Sequence, residues 1–265
     1  MEQNFSYNPG FDIKPDFKGM NFFYGDNAFG VKPELRRLDD IRSSLKDPTC
    51  SGTDILYSIA MDVGDIRHKE EIQKRNLLYG AVIYNSGTIG KECVRSQGHI
   101  HAVSPSCGSS TCEVYEIWSG HAVIYMQETT NEEPGRCFAV HAYPGDKVIV
   151  PPYWVHATIN AEQYSPMAFG AWCVRDYGFE YKELRAKGGI AFFPIAGKTL
   201  RWEKNPSYRS CHLNELNARS YEEIGIKDSS PIFSQFVAKN ELFDFIPHPE
   251  ILSAEKWESI LPEKK

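Results

Sequence analysis

The sequence predicts an all-β protein, built as an antiparallel sandwich or barrel. Between positions 54 and 171, short segments rich in Ile, Val, Tyr and Phe are broken roughly every ten residues by Gly, Pro, Asn or Ser, a pattern typical of many short strands. The 265 residues are 42% hydrophobic, which is enough to build a full core. The predicted strands are 54–63, 77–85, 91–97, 113–118, 121–128, 136–142, 147–150, 156–161 and 167–175, with a short helix at 67–75 and two later strands at 190–195 and 198–203.

The segments on either side of this region differ from it in composition and periodicity. Residues 1–32 are rich in Gly, Asn, Phe and Tyr without sustained periodicity, which indicates an extended arm packed by its aromatic side chains. Apolar residues at 35, 38, 41 and 45 follow helical spacing and predict a helix over 32–45. Beyond Pro206, helical fragments at 213–223 and 253–260 indicate an appendage. We therefore predict an N-terminal arm and helix (1–49), a barrel (50–205) and a partly helical C-terminal extension (206–265) packed on the barrel.

Charge and cysteine usage limit the possible partners. The 29 basic and 35 acidic residues give a net charge of −6, and they are dispersed, so we expect no nucleic-acid partner. No apolar run approaches the roughly 18 residues that cross a bilayer, and the first residues lack signal-peptide features, so we expect a cytoplasmic protein without membrane contact. The seven cysteines are scattered and predict reduced thiols; only Cys107 and Cys112 lie close enough to form a bridge or bind a metal.

Two histidines point to a metal site. His99 and His101 are two residues apart, so on a strand both imidazoles lie on the same face. After a glycine turn and a proline corner, His156 opens a later strand and can return to the same interior. A carboxylate follows at Glu113 or Glu116. Three imidazoles and one carboxylate suit a divalent transition metal and are a poor fit to calcium.

These segments resemble the paired motifs of the cupin superfamily. The first motif has His-x-His and then a glutamate (Glu113), six intervening residues and a glycine (Gly120); the second has Gly145, Pro151, His156 and Asn160 at the spacing of cupins. Stretches 98–102, 113–115, 151–156 and 176–178 are similar to the cupin-type glucose-6-phosphate isomerases. The resemblance covers roughly residues 50–205 and implies a cupin jelly-roll barrel, a homodimer, and a place in glycolysis or gluconeogenesis.

The sequence departs from this family at two places. Eleven residues separate His101 from Glu113, and residues 103–111 form an inserted loop rich in Ser, Gly, Pro and Cys. Glu116 is the rival carboxylate, but period-2 geometry places it on the face opposite Glu113, and only Glu113 has the six-residue step to a glycine. The second departure is Tyr153, which stands where many cupins carry glycine; the isomerases are similar to this sequence there.

The resemblance implies a metal-dependent aldose–ketose isomerase acting on glucose 6-phosphate and fructose 6-phosphate. One divalent transition metal per chain is expected, with iron favoured over manganese, nickel or zinc. The predicted ligands are His99, His101, Glu113 and His156. The predicted catalytic residues are Glu113, His156 and Tyr177; Glu113 is either a ligand or the carrier of a proton between C1 and C2. Proton transfer through an enediol is favoured over a hydride shift.

Phosphate binding is less well specified, because the sequence has no phosphate-binding loop of the Gly-x-x-x-x-Gly-Lys type. The predicted substrate-binding residues are Ser96, Gly98, Thr88, Tyr57 and Tyr153. Arg95 is a weaker candidate. For Thr88 and Arg95 the alternative, a polar residue on the surface or lining the barrel, is favoured; for Tyr153 the alternative is aromatic packing.

Two other histidines and one apolar strand pair have structural interpretations. His121 and His141 lie in strand-like runs without a partner at i+2 and are interpreted as ordinary strand histidines. The stretch 114–126 is apolar on both faces, which implies a second buried surface and favours a homodimer. The alternative functions are another metal-dependent cupin enzyme, such as a dioxygenase or a different sugar-phosphate isomerase, and a noncatalytic sugar-binding cupin.

Overall fold

Two facing antiparallel sheets form the centre of the computed structural model, which describes residues 5–262. The strands are β1 (Ile13–Asp16), β2 (Asn21–Tyr24), β3 (Ala28–Phe29), β4 (Glu34–Arg37), β5 (Ile55–Met61), β6 (Gly64–Asp65), β7 (Leu77–Tyr84), β8 (Thr88–Ile89), β9 (Glu92–Cys93), β10 (Ile100–His101), β11 (Glu113–Ser119), β12 (Ala122–Gln127), β13 (Cys137–Ala142), β14 (Lys147–Val150), β15 (Val155–Asn160), β16 (Met167–Val174), β17 (Phe179–Glu180), β18 (Phe192–Ile195), β19 (Arg201–Lys204) and β20 (Leu213–Asn217). The α-helices are α1 (Leu38–Ile41), α2 (Lys69–Lys74), α3 (Lys182–Ala186), α4 (Ile232–Ala238) and α5 (Ala254–Ser259), and 3₁₀ turns cover 42–44, 66–68, 222–224, 240–243 and 249–251.

The strand order gives the barrel its two walls. One wall is a six-stranded sheet in the order β14-β11-β16-β7-β5-β4, and the other is a four-stranded sheet in the order β15-β12-β13-β20. Only the β13–β20 pair within these walls is parallel. A separate four-stranded sheet, β19-β18-β9-β8, lies outside them. The predicted all-β class, with an N-terminal arm and a partly helical C-terminal extension, is confirmed.

The alternation of side chains along β11 shows how the sheet separates two cores. Tyr115 and Ile117 belong to the core between the two walls, whereas Val114 and Trp118 belong to a core on the outer side of the six-stranded sheet. Because both faces of the strand are covered, its central residues are buried throughout, and an apolar run replaces the polar–apolar alternation of a half-exposed strand.

Chain segments that lie outside the two walls cover both outer faces. Aromatic side chains from the N-terminal arm and the C-terminal extension, including Phe11 and Phe233, pack on the six-stranded sheet. Residues 184–208 pack on the four-stranded sheet, against side chains such as Val123 and Tyr125. The apolar faces of 114–126 that favoured a homodimer are therefore buried within one chain. The homodimer itself stays a prediction.

Three predicted elements differ from the observed ones. The helix over 32–45 is wrong for residues 34–37, which form edge strand β4 and pair with β5; the hydrogen bonds of the sheet outweigh a weak helical period. The predicted helix 213–223 is instead β20 followed by a 3₁₀ turn. The predicted strand 91–97 is reduced to the two residues of β9. By contrast, the helices at 67–75 and 253–260 are confirmed in position.

The cysteines and the helices can be described directly from the structure. All seven cysteines, including Cys107 and Cys112, are free thiols. Among residues 5–262, no helix has the length and apolar character that crossing a membrane requires.

A buried ion pair joins the outer face of the six-stranded sheet to the C-terminal extension. Glu116 and Lys147 are cross-strand partners on β11 and β14, and their charged groups lie 3.5 Å apart. The Ile232 N–H donates to Glu116 Oε1 at 3.0 Å, and Lys147 Nζ donates to the Asp228 carbonyl at 2.7 Å. Burial raises the pKa of Glu116 from 4.5 to about 7, although Lys147 opposes this rise.

We expect Glu116 to make the protein less stable as pH rises. Because its pKa is higher in the folded than in the unfolded state, its stabilising contribution is complete below about pH 4.5 and is lost as pH rises through about 7. In Glu116→Gln, the decline in unfolding free energy between pH 5 and 8 should be smaller by about 2 kcal/mol. Urea unfolding of both proteins at four pH values measures this difference. Parallel pH profiles would contradict the prediction.

Candidate metal centre

Four side chains from three parts of the barrel converge in its interior. His99 directly precedes β10, His101 ends it, Glu113 begins β11, and His156 is the second residue of β15. One ligand atom from each residue lies within 4.8 Å of the others. The backbones of His99 and His156 exchange two N–H to carbonyl bonds, of 3.0 and 2.9 Å, which fix these segments side by side. The structure therefore brings together all four residues predicted as metal ligands.

Backbone carbonyls set the orientation of two imidazoles. His101 Nδ1 lies 3.0 Å from the Thr111 carbonyl oxygen, and His156 Nδ1 lies 3.2 Å from that of Trp154. A carbonyl only accepts, so each Nδ1 carries the hydrogen and each Nε2 turns its lone pair inward. Such a bond to the second ring nitrogen is the arrangement that orients metal-ligating histidines in proteins.

The inward-facing atoms need a positive charge among them. Glu113 Oε2 lies 3.3 Å from His101 Nε2 and 3.4 Å from His156 Nε2, while the buried Nε2 of His99 has no hydrogen-bond partner among residues 5–262. A carboxylate and imidazole lone pairs repel one another unless a proton or a metal ion lies between them. Burial and the neighbouring imidazoles hold the pKa of His99 well below its usual range, and burial also lowers that of His156, which disfavours protonation. A divalent metal ion fits this donor set.

Glu113 is held as an ionised carboxylate. Burial alone would raise its pKa, but hydrogen bonds to the His101 and His156 rings, formed when a proton lies between the rings and the carboxylate, outweigh burial and lower the pKa below the ordinary value. The Tyr115 hydroxyl donates to Glu113 Oε2 at 2.8 Å, because two residues along a strand share one face. Glu116, the rival carboxylate, lies on the opposite face in the pair with Lys147.

The inserted loop 103–111 supports the site without displacing Glu113. Besides the Thr111 carbonyl that orients His101, the buried Ser110 hydroxyl donates to the His101 carbonyl at 2.8 Å and accepts the Tyr153 N–H at 3.0 Å. Asp176 anchors the other end of the loop, because its carboxylate accepts from the Ser104 hydroxyl and from the backbone N–H of Ser106.

Tyr153 has a backbone conformation that explains why glycine is common at this position in cupins. Its φ is +69°, in the left-handed region, which is uncommon for a bulky residue. Its side chain is 54% exposed, with the hydroxyl 3.2 Å from the Ser109 hydroxyl. Tyr153 therefore contacts the inserted loop and does not line the cavity around the four ligands.

The predicted substrate-binding residues divide into two groups. Tyr57 and Ser96 line the cavity that contains His99, His101 and Glu113. Gly98 does not line it: its φ is +87°, and a Cβ there would lie 2.8 Å from Leu184, so glycine is needed for the turn. Thr88 lies on β8 in the outer sheet.

Tyr177, the third predicted catalytic residue, is also absent from the lining of this cavity. Its side chain is 36% exposed, and its ring lies 5.2 Å from that of Phe179, which does line the cavity. Arg95 is fully buried, and its Nε donates a hydrogen bond to Glu92 Oε2 at 2.8 Å.

Several cavity residues were missed by sequence reasoning. Tyr115 could have been found, because it shares a strand face with Glu113. Arg36 was assigned to a helix, but residues 34–37 form strand β4 instead. The others come from strands or loops whose approach the sequence does not specify; they include Tyr84, Gln97, Thr158, Phe179 and Tyr181.

His121 and His141 form a pair of their own. His121 Nε2 lies 2.9 Å from His141 Nδ1, and His141 Nε2 lies 3.4 Å from a Glu215 oxygen. Neither imidazole belongs to the cluster of four donors. His141 lies on β13, whereas His121 directly precedes β12, so only His141 is a strand histidine; both have partners of their own.

The barrel and its donor set define a cupin with a site suited to a divalent metal ion. A family profile described as "Glucose-6-phosphate isomerase (GPI)" matches residues 36–210, well over half of the chain. The chain therefore belongs to the glucose-6-phosphate isomerase family, which are aldose–ketose isomerases, and the resemblance seen in the sequence is confirmed.

Individual relatives agree with this assignment. The glucose-6-phosphate isomerase of Pyrococcus furiosus is 28% identical over 184 residues, covering 69% of this chain and 88% of that protein. The enzyme of the same name from Thermococcus litoralis is 27% identical over 209 residues, covering 77% and 98%. Among solved structures, recombinant oxalate oxidase in complex with glycolate matches 44% of this chain and 49% of its own, with 9% identity and a TM-score of 0.32.

We expect the four-residue cluster to bind one divalent ion per chain. Titration calorimetry of metal-free protein with Mn²⁺ or Ni²⁺ should give one site, and His101→Ala should weaken binding about 100-fold or more because one of four ligands is lost. His248→Ala is the matched control: this histidine is half-exposed and contacts only Glu250 among the ionisable groups of the described residues. Equal binding by wild type and His101→Ala would contradict the assignment.

Proposed function

We propose that this chain interconverts glucose 6-phosphate and fructose 6-phosphate in a reaction that depends on a divalent transition metal held by His99, His101, Glu113 and His156. One observation supports the metal most directly. Imidazole nitrogens and a carboxylate face one another inside the barrel. The Nδ1 hydrogens of His101 and His156 are bonded to backbone carbonyls and so do not lie between the facing atoms. Membership of the isomerase family supports the identity of the reaction.

The reaction moves hydrogen between C1 and C2 of the open-chain sugar. When bound, the metal ion would act as a Lewis acid for the two sugar oxygens and stabilise the negative charge that develops there. Glu113 is the residue we assign to carry the proton between the two carbons, because it is the ionised carboxylate of the cavity. The Tyr115 hydroxyl fixes its position. Apolar side chains such as Val82 and Phe169 exclude water from the same cavity.

The metal, compartment and assembly state are parts of the proposal. Three imidazoles and one carboxylate are borderline donors that suit Fe²⁺, which we propose as the ion, and also suit manganese, nickel and zinc. A cytoplasmic location and a homodimer follow from the sequence and from the family resemblance.

A coupled assay tests the proposal. Purified protein should convert fructose 6-phosphate, lose activity after chelation, and regain it when Fe²⁺, Mn²⁺, Ni²⁺ or Zn²⁺ is returned, with Fe²⁺ the most effective. Oxygen consumption by the ferrous protein serves as the control for dioxygenase chemistry. Absence of turnover with all four ions would overturn the isomerase proposal, and unchanged activity after complete metal removal would overturn the metal dependence.

The role of Glu113 is tested by isotope exchange. If Glu113 carries a proton, substrate deuterated at C2 should lose part of its label to solvent during turnover, whereas a direct hydride shift retains it. Glu113→Gln should lower kcat about 100-fold or more, because the amide cannot accept the proton. Glu215→Gln, which alters a half-exposed carboxylate beside His141, is the matched control. Full retention of label in every turnover, with an active Glu113→Gln, would contradict the assignment.

A further inference from the structure

A sugar phosphate brings a dianion into a cavity whose predicted contacts carry no free positive charge. Ser96 and Tyr57 offer only hydroxyls, and the Ser96 hydroxyl already accepts the Thr158 N–H at 3.1 Å. Arg95 is neutralised by Glu92 and donates to backbone carbonyls. Because removing a phosphate from water is costly unless charged donors replace the water, the cavity needs a further cation.

Arg36 supplies the only arginine or lysine side chain among the described residues that line this cavity. It lies on edge strand β4 as the cross-strand partner of Tyr57, and its positive charge acts on the hydroxyls of Tyr57 and Tyr181, which line the same part of the cavity. Arg185 lies behind this wall, stacked on the Tyr181 ring and donating to Gln97 at 2.9 Å.

The guanidinium of Arg36 is available to a ligand. Its ion pair with Glu34 measures 2.9 Å, but the two side chains are 34% and 69% exposed, and exposed pairs of this kind contribute little stability. Glu34 can therefore turn to solvent when a stronger anion arrives. Burial raises the pKa of Tyr57 and of Tyr181, so both hydroxyls keep their protons and remain donors.

We infer that Arg36, with the Tyr57 and Tyr181 hydroxyls, binds the phosphate of the substrate. The guanidinium presents parallel N–H groups that match two phosphate oxygens. The phosphate then lies at the edge-strand end of the cavity, and the carbons that react lie at the histidine end. This inference rests on the proposed isomerase function.

The test compares Arg36→Met and Arg36→Lys with Arg37→Met. Arg37 is the next residue of the same strand and pairs with exposed Asp54 outside the cavity, so it controls for loss of charge. In Arg36→Met, KM for fructose 6-phosphate and the inhibition constant of inorganic phosphate should each rise about 10- to 100-fold, while kcat changes less. For Arg36→Lys, both constants should lie between those of wild type and Arg36→Met. For Arg37→Met, both constants should match those of wild type.

A binding measurement separates this inference from the proposed function. If active Arg36→Met has wild-type values of KM and of the phosphate inhibition constant, the inference is overturned and the isomerase function stands. If wild-type protein shows no turnover, the function fails, and inorganic phosphate is then used in thermal unfolding. A rise in Tm for wild type that is absent in Arg36→Met supports the phosphate site, whereas an equal rise overturns it. Should Arg36→Met not fold, Arg36→Lys decides by the same measurements.

Discussion

The mutual repulsion of one carboxylate and three inward-facing imidazoles is the constraint on which the site depends. These groups are buried within 4.8 Å of one another, and carbonyl oxygens hold the hydrogens of two imidazoles on their outer nitrogens. A buried arrangement of this kind is stabilised by a proton or a cation at its centre. The donor chemistry thus suits a divalent ion, and the barrel supplies the rigidity that keeps three separate segments in place.

The layers around the barrel explain that rigidity. Both outer faces of the walls are covered by the chain's own flanking segments, so the strands that carry Glu113 and His156 are packed on two sides. The ion pair of Glu116 and Lys147 ties the C-terminal extension to the strand that begins with Glu113. The extension is thus joined to β11, although no residue of the extension lines the cavity among the residues described.

The cavity separates two kinds of charge. Its histidine end combines imidazoles with one carboxylate and suits a metal ion, whereas its edge-strand end carries Arg36 together with Tyr57 and Tyr181. The inserted loop belongs to the histidine end, because its Thr111 carbonyl orients His101. The cavity therefore offers donor atoms suited to a cation at one end and a cationic side chain at the other.

The sequence by itself determined the β class, most strand positions and the four donors, because period-2 alternation, turn residues and motif spacing are local signals. It also distinguished Glu113 from Glu116 as the ligand, because residues three apart on a strand lie on opposite faces. Only the tertiary structure decided that residues 34–37 form a strand, since edge pairing with β5 outweighs a local helical period. The same pairing brought Arg36 to the cavity, and chain packing carried Thr88, Tyr153 and Tyr177 away from its lining. Contacts between distant segments depend on which faces of those segments pack together, and a local sequence pattern does not specify this packing.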